Sequence, residues 1–208
     1  MNRYYILTEH AGVQVVRATA VDESDPFTIR FVTDTGIASF ERHELLWWSP
    51  VESSPPAPFS NFGHMHHARP HHNPGFHSPL EAHGASMRAA QQNADFSRRS
   101  SAASAALIEA VRSRVPRGWR KAVLELKVSY ELPASKYNVT HRLHNPDTGA
   151  EAVDFSDALF ACIEVFHRIA VEGGENWNQT TLALDLDGKG RCGHAEVSHD
   201  YGTNFSSR

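Results

Sequence analysis

A group of carboxylate and imidazole side chains near the end of the chain carries the residue types that chemistry needs. Its members are Asp185, Asp187, His194, Glu196, His199 and Asp200. Carboxylates and imidazoles hold metal ions or exchange protons in hydrolysis. Asp185 and Asp187 flank a predicted turn, however, and side chains alternate along a strand, so that His194 and His199 face opposite sides. The spacing therefore favours a solvated acidic face, and a hydrolase that uses these carboxylates is the weaker alternative.

No other motif in the chain predicts catalysis. Gly188-Lys189-Gly190 is too short for a phosphate-binding loop and lacks its Ser or Thr. Neither a His-Glu-x-x-His metal motif nor a Gly-x-Ser-x-Gly nucleophile motif occurs. We therefore expect a protein that is not an enzyme and that needs no cofactor.

A histidine-rich tract follows a proline-rich one in the middle of the chain. The histidines are His64, His66, His67, His71, His72, His77 and His83, and four prolines lie between residues 49 and 60. Such a stretch has few aliphatic residues for a core, and we expect a linker. Histidine tracts can bind zinc, copper or nickel, which makes a metal-binding regulatory or storage protein the alternative function. The spacing matches no zinc motif, so no metal site is predicted.

Charge is unevenly distributed along the 208 residues, whose net charge is -4. Residues 98–145 hold 10 basic and 3 acidic side chains, whereas residues 146–208 hold 4 basic and 11 acidic ones. An acidic surface attracts basic proteins and disfavours direct binding of nucleic acid. The two cysteines predict no disulfide framework, and no apolar run has the length of a signal peptide or a membrane span. We therefore expect a cytoplasmic protein without membrane contact.

The first sixty residues predict a small all-β module, either SH3-like or a meander. Short β-rich runs at 4–8, 13–19, 27–33, 37–40 and 45–48 are separated by turn residues. A module of this size has a marginal core, so we expect it to pack on the rest of the chain or on a partner. Trp47 and Trp48 face opposite sides of a strand. One belongs in the core, and Trp48 is the candidate for an interface.

The last hundred residues predict an α-β-β-α-β-β module with an antiparallel sheet. The helices are expected at 100–115 and 154–171, and the strands at 119–132, 137–144, 177–186 and 189–199. Asp187-Gly188 predicts a two-residue turn between the last two strands. The second helix carries a broad apolar face that consists of Phe155, Leu159, Phe160, Ile163, Phe166 and Ile169. The fold class is therefore α+β, with a β-module at 1–60, a linker at 61–100 and the α+β domain at 101–208.

Residues 107–201 resemble the YezG-like immunity proteins of bacteria. The similarity rests on the order and spacing of several short features. They are a helix that leads to Val115-Pro116-Arg117-Gly118-Trp119, a strand, a long aromatic helix, Trp177 with Thr180 and Thr181, the hairpin Asp187-Gly188-Lys189, and Asp200-Tyr201. About half of the chain is covered, and the first hundred residues are an addition to the family's pattern.

The resemblance implies a protein that protects its producing cell by binding a secreted toxin. We expect the toxin to be a basic nuclease, most simply a DNase, which a contact-dependent or type VI secretion system delivers. The residues expected to contact the toxin are Trp48, Trp177, Asp185, Asp187, Glu196 and Asp200. Buried aromatic anchors would supply most of the affinity, and the acidic side chains would speed the encounter with a basic nuclease.

Overall fold

A computed structural model of the protein describes residues 1–51, 79–131, 136–152, 156–175, 177–187 and 189–201. Phe155 and the six tract histidines from His64 to His77 lie outside these described residues, and His83 lies where the side chains are not described. The model contains α-helices and antiparallel sheets, which confirms the α+β class. Neither of the helices described has the combination of length and apolarity that a bilayer-spanning helix requires.

The N-terminal region consists of six strands in two small antiparallel sheets. The strands are β1 (Asn2–Thr8), β2 (Gly12–Ala18), β3 (Ala20–Asp22), β4 (Thr28–Val32), β5 (Ile37–Glu41) and β6 (Leu45–Pro50). One sheet has the order β2-β1-β6 and the other the order β3-β4-β5. Side chains from both sheets, including Ile6 and Phe31, form a small apolar cluster with Ile29. This cluster holds the two sheets together.

The C-terminal region places two helices on one five-stranded antiparallel sheet. Its elements are α1 (Pro79–Arg112), β7 (Lys121–Glu131), β8 (Lys136–His144), β9 (Glu151–Ala152), α2 (Asp157–Glu172), β10 (Gln179–Leu186) and β11 (Cys192–Asp200). The strand order is β11-β10-β7-β8-β9. The alternating sequence of strand β7 predicts one buried face that consists of Ala122, Leu124, Leu126, Val128 and Tyr130, and the first four are buried. Tyr130, the last member of that predicted face, has a side chain outside the described part.

Helix α2 is buried on almost all sides. Its N-cap is Ser156, whose Oγ accepts a hydrogen bond from the Leu159 amide at 3.3 Å. Gly174, with φ +83°, lies just beyond its C-terminal end in the left-handed region that suits glycine. Gly173 lies against the Phe96 ring of α1, at a distance that leaves no room for a Cβ atom. The buried residues include Leu159, Ile163, Val165, Phe166 and Ile169, and each stabilises the fold by roughly 1.5–3 kcal/mol before entropy is counted.

The N-terminal sheet packs against α2, so the two regions share one apolar core. Tyr5, Leu7 and Trp47 belong to the same buried cluster as the side chains of α2 and the five-stranded sheet. The expectation that the β-module packs on the rest of the chain is therefore confirmed.

Two polar side chains of α2 tie this junction together. The buried Arg168 guanidinium donates hydrogen bonds to the Pro50 carbonyl at 3.0 Å, the Val51 carbonyl at 2.9 Å and Ser49 Oγ at 3.2 Å. The Glu172 carboxylate accepts a hydrogen bond from Trp47 Nε1 at 2.8 Å. It also accepts one from Arg99 of α1 at 2.9 Å. Strand β6, α1 and α2 are thus connected through charge-assisted hydrogen bonds.

Three local predictions are wrong. Helix α1 begins at Pro79 instead of residue 100, because the Ala, Gln and Arg residues before Ser100 favour helix without producing an apolar stripe. The connection between β10 and β11 covers residues 187–191, since Leu186 pairs with Cys192, and it is therefore longer than two residues. Phe160 is 42% exposed and does not belong to the core face of α2.

The contrast between two phenylalanines of α2 gives the first prediction. We expect Phe166→Ala to lower the free energy of unfolding by about 3–5 kcal/mol, because the Phe166 side chain is 6% exposed and its removal leaves a cavity. Phe160→Ala, the matched control, should cost less than about 1 kcal/mol. Urea denaturation followed by circular dichroism measures both. Equal losses in the two variants would contradict the placement of α2.

The junction gives the second prediction. Arg168→Met should destabilise the protein by about 3–5 kcal/mol, because it leaves buried carbonyl groups of β6 and the Glu164 carboxylate without their cation. Hydrogen exchange should also accelerate in residues 1–51. Arg17→Met, at an exposed position of β2, is the control. Normal exchange in residues 1–51 of Arg168→Met would show that this arginine does not hold the N-terminal region.

Candidate functional site

The five-stranded sheet has one face that no described helix covers. The helices pack on the face that carries Leu124, Leu182 and Leu184. The opposite face carries polar side chains in rows across the strands, because paired positions of neighbouring strands point the same way. Within β10, this open face carries Gln179, Thr181, Ala183 and Asp185, which alternate with buried residues.

Three of the predicted contact residues lie together on this open face. Glu196 pairs with Ala183 of β10, and Asp200 pairs with Gln179. Asp185, which precedes the end of β10, pairs with His194 of β11. Asp185, Glu196 and Asp200 therefore share the β10–β11 half of the open face, and all three are exposed. Among the described ion pairs, none involves Asp185 or Glu196.

The other half of the open face carries basic side chains. Lys121 pairs with Asp185 and Lys127 with Gln179, which places both lysines beside the acidic strands. Arg142 of β8 follows at the position paired with Glu125 and forms an ion pair with Glu151 at 2.6 Å. Lys121 forms an ion pair with Asp147 at 3.4 Å. The half of the face on β7 and β8 therefore carries both signs of charge, because Glu125 lies between the two lysines, whereas the half on β10 and β11 carries the three carboxylates.

Asp187 has a structural role in the β10–β11 connection. Its Oδ1 accepts hydrogen bonds from the backbone amides of Lys189 at 2.9 Å and Arg191 at 2.8 Å. Its Oδ2 lies 2.8 Å from Arg191 Nε. The bonds from the Arg191 backbone and then its guanidinium hold the pKa of Asp187 below its usual value. The Asp187 carboxylate therefore stabilises the turn, and both of its oxygens already accept hydrogen bonds from turn residues.

Neither predicted tryptophan anchor is exposed, since Trp177 is buried and Trp48 is half-buried. Trp177 is 1% exposed, and its indole ring stacks on His199 with ring centroids 5.7 Å apart. The edge of the His167 ring meets Trp177 from another side at 5.1 Å. Trp48 is half-buried and contacts Phe31, with ring centroids 5.7 Å apart, inside the N-terminal cluster. Both side chains serve packing in this conformation, because large apolar surfaces gain most when they leave water.

The carboxylates of the hairpin do not converge on one point. Within the described ranges, three potential metal ligands do lie close together: Glu41, His43 and Glu44. Their ligand atoms are within 4.8 Å of one another. That group is largely exposed and lies between β5 and β6, where His43 contacts Glu41 at 3.2 Å. His199 points to the inner side of the sheet, where its Nδ1 lies 2.8 Å from Thr180 Oγ1. The metal alternative rests on the histidine tract, whose side chains lie outside the described part of the chain.

A basic concave site at one end of the sheet was not predicted. Its walls are the end of α1, the loop before β7 and the β10–β11 connection, and its volume is about 440 Å³. The lining includes Arg112, Arg117, Arg120 and Lys189, together with Trp119. The excess of basic residues between 98 and 145 was the available signal, but only folding brings Lys189 beside that segment.

No protein-family model matches the chain, and no curated protein matches it.

A buried histidine lies beneath the acidic strands. His167 of α2 is 1% exposed, and burial, followed by the nearby Arg168 charge, lowers its pKa to about 4. The ordinary pKa of histidine is 6.5. The unfolded chain therefore binds this proton more tightly than the folded protein does. Stability is unaffected above about pH 6.5 and decreases as the pH falls from 6.5 towards 4.

This titration gives the third prediction. Between pH 7 and pH 4 the wild-type protein should lose about 3 kcal/mol more unfolding free energy than His167→Phe, since one pKa unit corresponds to 1.36 kcal/mol. The phenylalanine ring preserves packing on Trp177 and does not titrate. Urea denaturation at a series of pH values measures the difference between the two proteins. Parallel pH profiles would contradict a neutral buried His167.

Proposed function

We propose that the protein is an immunity protein that binds and neutralises a secreted bacterial toxin. The observation that carries the proposal is the open, exposed half-face on β10 and β11 that bears Asp185, Glu196 and Asp200. The resemblance of residues 107–201 to YezG-like immunity proteins supplies the functional class. The proposed partner is a basic nuclease, most simply a DNase, that arrives through a contact-dependent or type VI secretion system. The proposed place of action is the cytoplasm.

The charge arrangement supports a basic protein partner. Exposed carboxylates on a rigid sheet steer a cationic surface during encounter, and they contribute more to the association rate than to the final affinity. Lys121 and Lys127 of β7 border the acidic area. They would repel a cationic partner that docked closer to β7 than to β11. Such alternation of charge selects one orientation of the partner. The same acidic half-face repels nucleic acid, so the protein would act on the nuclease and not on its substrate.

The edge of the sheet offers a second kind of contact. Strand β11 lies at the end of the order β11-β10-β7-β8-β9, and within the described ranges no strand pairs with its outer edge. An extended segment of a partner can add to such an edge through backbone hydrogen bonds. His194, Glu196 and Asp200 are exposed along β11 and would give that pairing its charge specificity.

Inhibition requires no catalytic group in this arrangement. A bound protein that covers the nuclease active site excludes its substrate at a fixed ratio of one inhibitor to one toxin. Trp177 contributes by holding the hairpin against α2, because its ring lies between His199 of β11 and His167 of α2. Rigidity of the hairpin lowers the entropy that binding would otherwise cost.

Co-expression with the toxin encoded beside its gene tests the proposed function. We expect cells to survive the toxin only while this protein is present, and the two proteins to co-purify in a fixed ratio. Protection at amounts far below those of the toxin would indicate catalysis and contradict inhibition by binding.

Charge reversal on the half-face gives the fourth prediction. Asp185→Lys combined with Glu196→Lys should slow association with the toxin by about tenfold or more at low salt and reduce the salt dependence of the association rate, because two steering carboxylates become repulsive. Surface plasmon resonance at several salt concentrations measures both effects. Asp187 is excluded from the variant because it organises the turn.

The matched control is Glu23→Lys combined with Asp34→Lys. It makes the same change in net charge at exposed positions of the N-terminal region. Its association rate should stay near that of the wild type after correction for net charge. Equal slowing in both variants would show that total charge, and not the β10–β11 half-face, controls encounter.

A further inference from the structure

The basic concave site carries positive charge that the protein does not neutralise. Arg112 forms hydrogen bonds with the Glu109 carboxylate, at 2.8 Å from its Nε. Asp187, the acidic residue of the lining, is neutralised by Arg191. Among the described ion pairs, none involves Arg117, Arg120 or Lys189. Three exposed cations therefore meet around one cavity without acidic partners.

The cavity is held open by backbone hydrogen bonds. The Leu186 amide donates to the Arg120 carbonyl at 2.8 Å, which joins the loop before β7 to the end of β10. The Asp187 and Gly190 amides close the β10–β11 connection through bonds to Arg191 and Asp187, both at 2.9 Å. The Lys189 amide also donates to Asp187 Oδ1 at 2.9 Å, so hydrogen bonds fix the backbone position of Lys189. A preformed site of about 440 Å³ is within the size range of small-ligand pockets.

The C-terminal end of α1 opposes an anion only weakly. A helix C-terminus carries about half a negative charge, which falls off within one turn. Its carbonyls at Ala110, Val111 and Arg112 already accept hydrogen bonds from the residues that follow. Three formal positive charges outweigh this partial negative one. The electrostatics of the cavity therefore favour an anion of more than one charge.

Trp119 adds an apolar surface beside the cations. Its side chain is half-buried against the main core and also lines the cavity. Arginine guanidinium groups bind phosphate oxygens in pairs, and a tryptophan ring provides a stacking surface for an aromatic base. A carboxylate-rich peptide could pair with the cations but has no aromatic base to stack on the Trp119 ring. A nucleoside phosphate uses both.

We propose that the cavity between α1, the loop before β7 and the β10–β11 connection binds a nucleoside phosphate. Its phosphates lie against Arg117, Arg120 and Lys189, and its base stacks on Trp119. This site is separate from the open acidic half-face, and the proposal does not depend on toxin binding. Occupation would brace the turn between β10 and β11 from its outer side.

Isothermal titration calorimetry of the full chain with ATP, at about 150 mM salt, tests this site as the fifth prediction. We expect Arg117→Gln combined with Arg120→Gln to weaken ATP binding about tenfold or more, since the variant loses charge-assisted hydrogen bonds to the phosphates. Trp119→Leu should weaken ATP binding and leave pyrophosphate binding unchanged. Arg117→Gln alone, at an exposed position, is the second variant if the double variant unfolds at a lower temperature.

The matched control is Arg3→Gln combined with Arg17→Gln, which removes the same charge from exposed positions of β1 and β2. It should bind ATP as the wild type does. Failure of the wild type to bind ATP more tightly than about 1 mM would overturn the proposal. So would equal weakening in the control, or binding of pyrophosphate or a hexaglutamate peptide as tight as that of ATP.

Discussion

The burial of α2 between two sheets is the constraint on which the rest of the structure depends. A helix that is covered on nearly all sides must satisfy every polar group that it carries into the core. Arg168 does so by donating to the carbonyls at the end of β6, and Glu172 by accepting from Trp47 and Arg99. These bonds orient the N-terminal sheet on α2. The apolar side chains around them then close one continuous core.

This arrangement decides which surfaces are available for binding. Because α1 and α2 occupy the inner face of the five-stranded sheet, its outer face remains open and can be polar without cost to the core. The aromatic residues that looked like interface anchors are consumed by packing: Trp177 joins the hairpin to α2, and Trp48 fills the N-terminal cluster. The outer face of the five-stranded sheet is therefore defined by its charged side chains and not by these two tryptophans.

The β10–β11 hairpin lies between two opposite electrostatic environments. Its flat outer face carries Asp185, Glu196 and Asp200, while its tip contributes Lys189 to the basic cavity. Asp187 separates the two by turning the chain and neutralising Arg191. The unequal charge along the sequence is thus resolved into an acidic sheet face and a basic cavity at its end. For each we propose a different class of partner, a basic protein for the acidic face and a phosphate anion for the cavity.

The sequence by itself determined the features that depend on neighbouring residues. The α+β class, the alternation along β7 and the presence of a long apolar helix near residues 154–171 follow from local pattern. The shared face of His194 and Glu196 follows from the alternation of a strand.

Tertiary structure alone decided the rest. Phe160 and Phe166 look equivalent in an apolar helix, and only the packing partners of α2 leave one exposed and bury the other. A tryptophan side chain is equally suited to a core and to an interface. Trp177 is buried because folding brings His167 of α2 and His199 of β11 against its ring. The basic cavity combines residues that are far apart in the chain. A local sequence pattern cannot show that Lys189 comes close to Arg117 and Arg120, because folding alone brings them together.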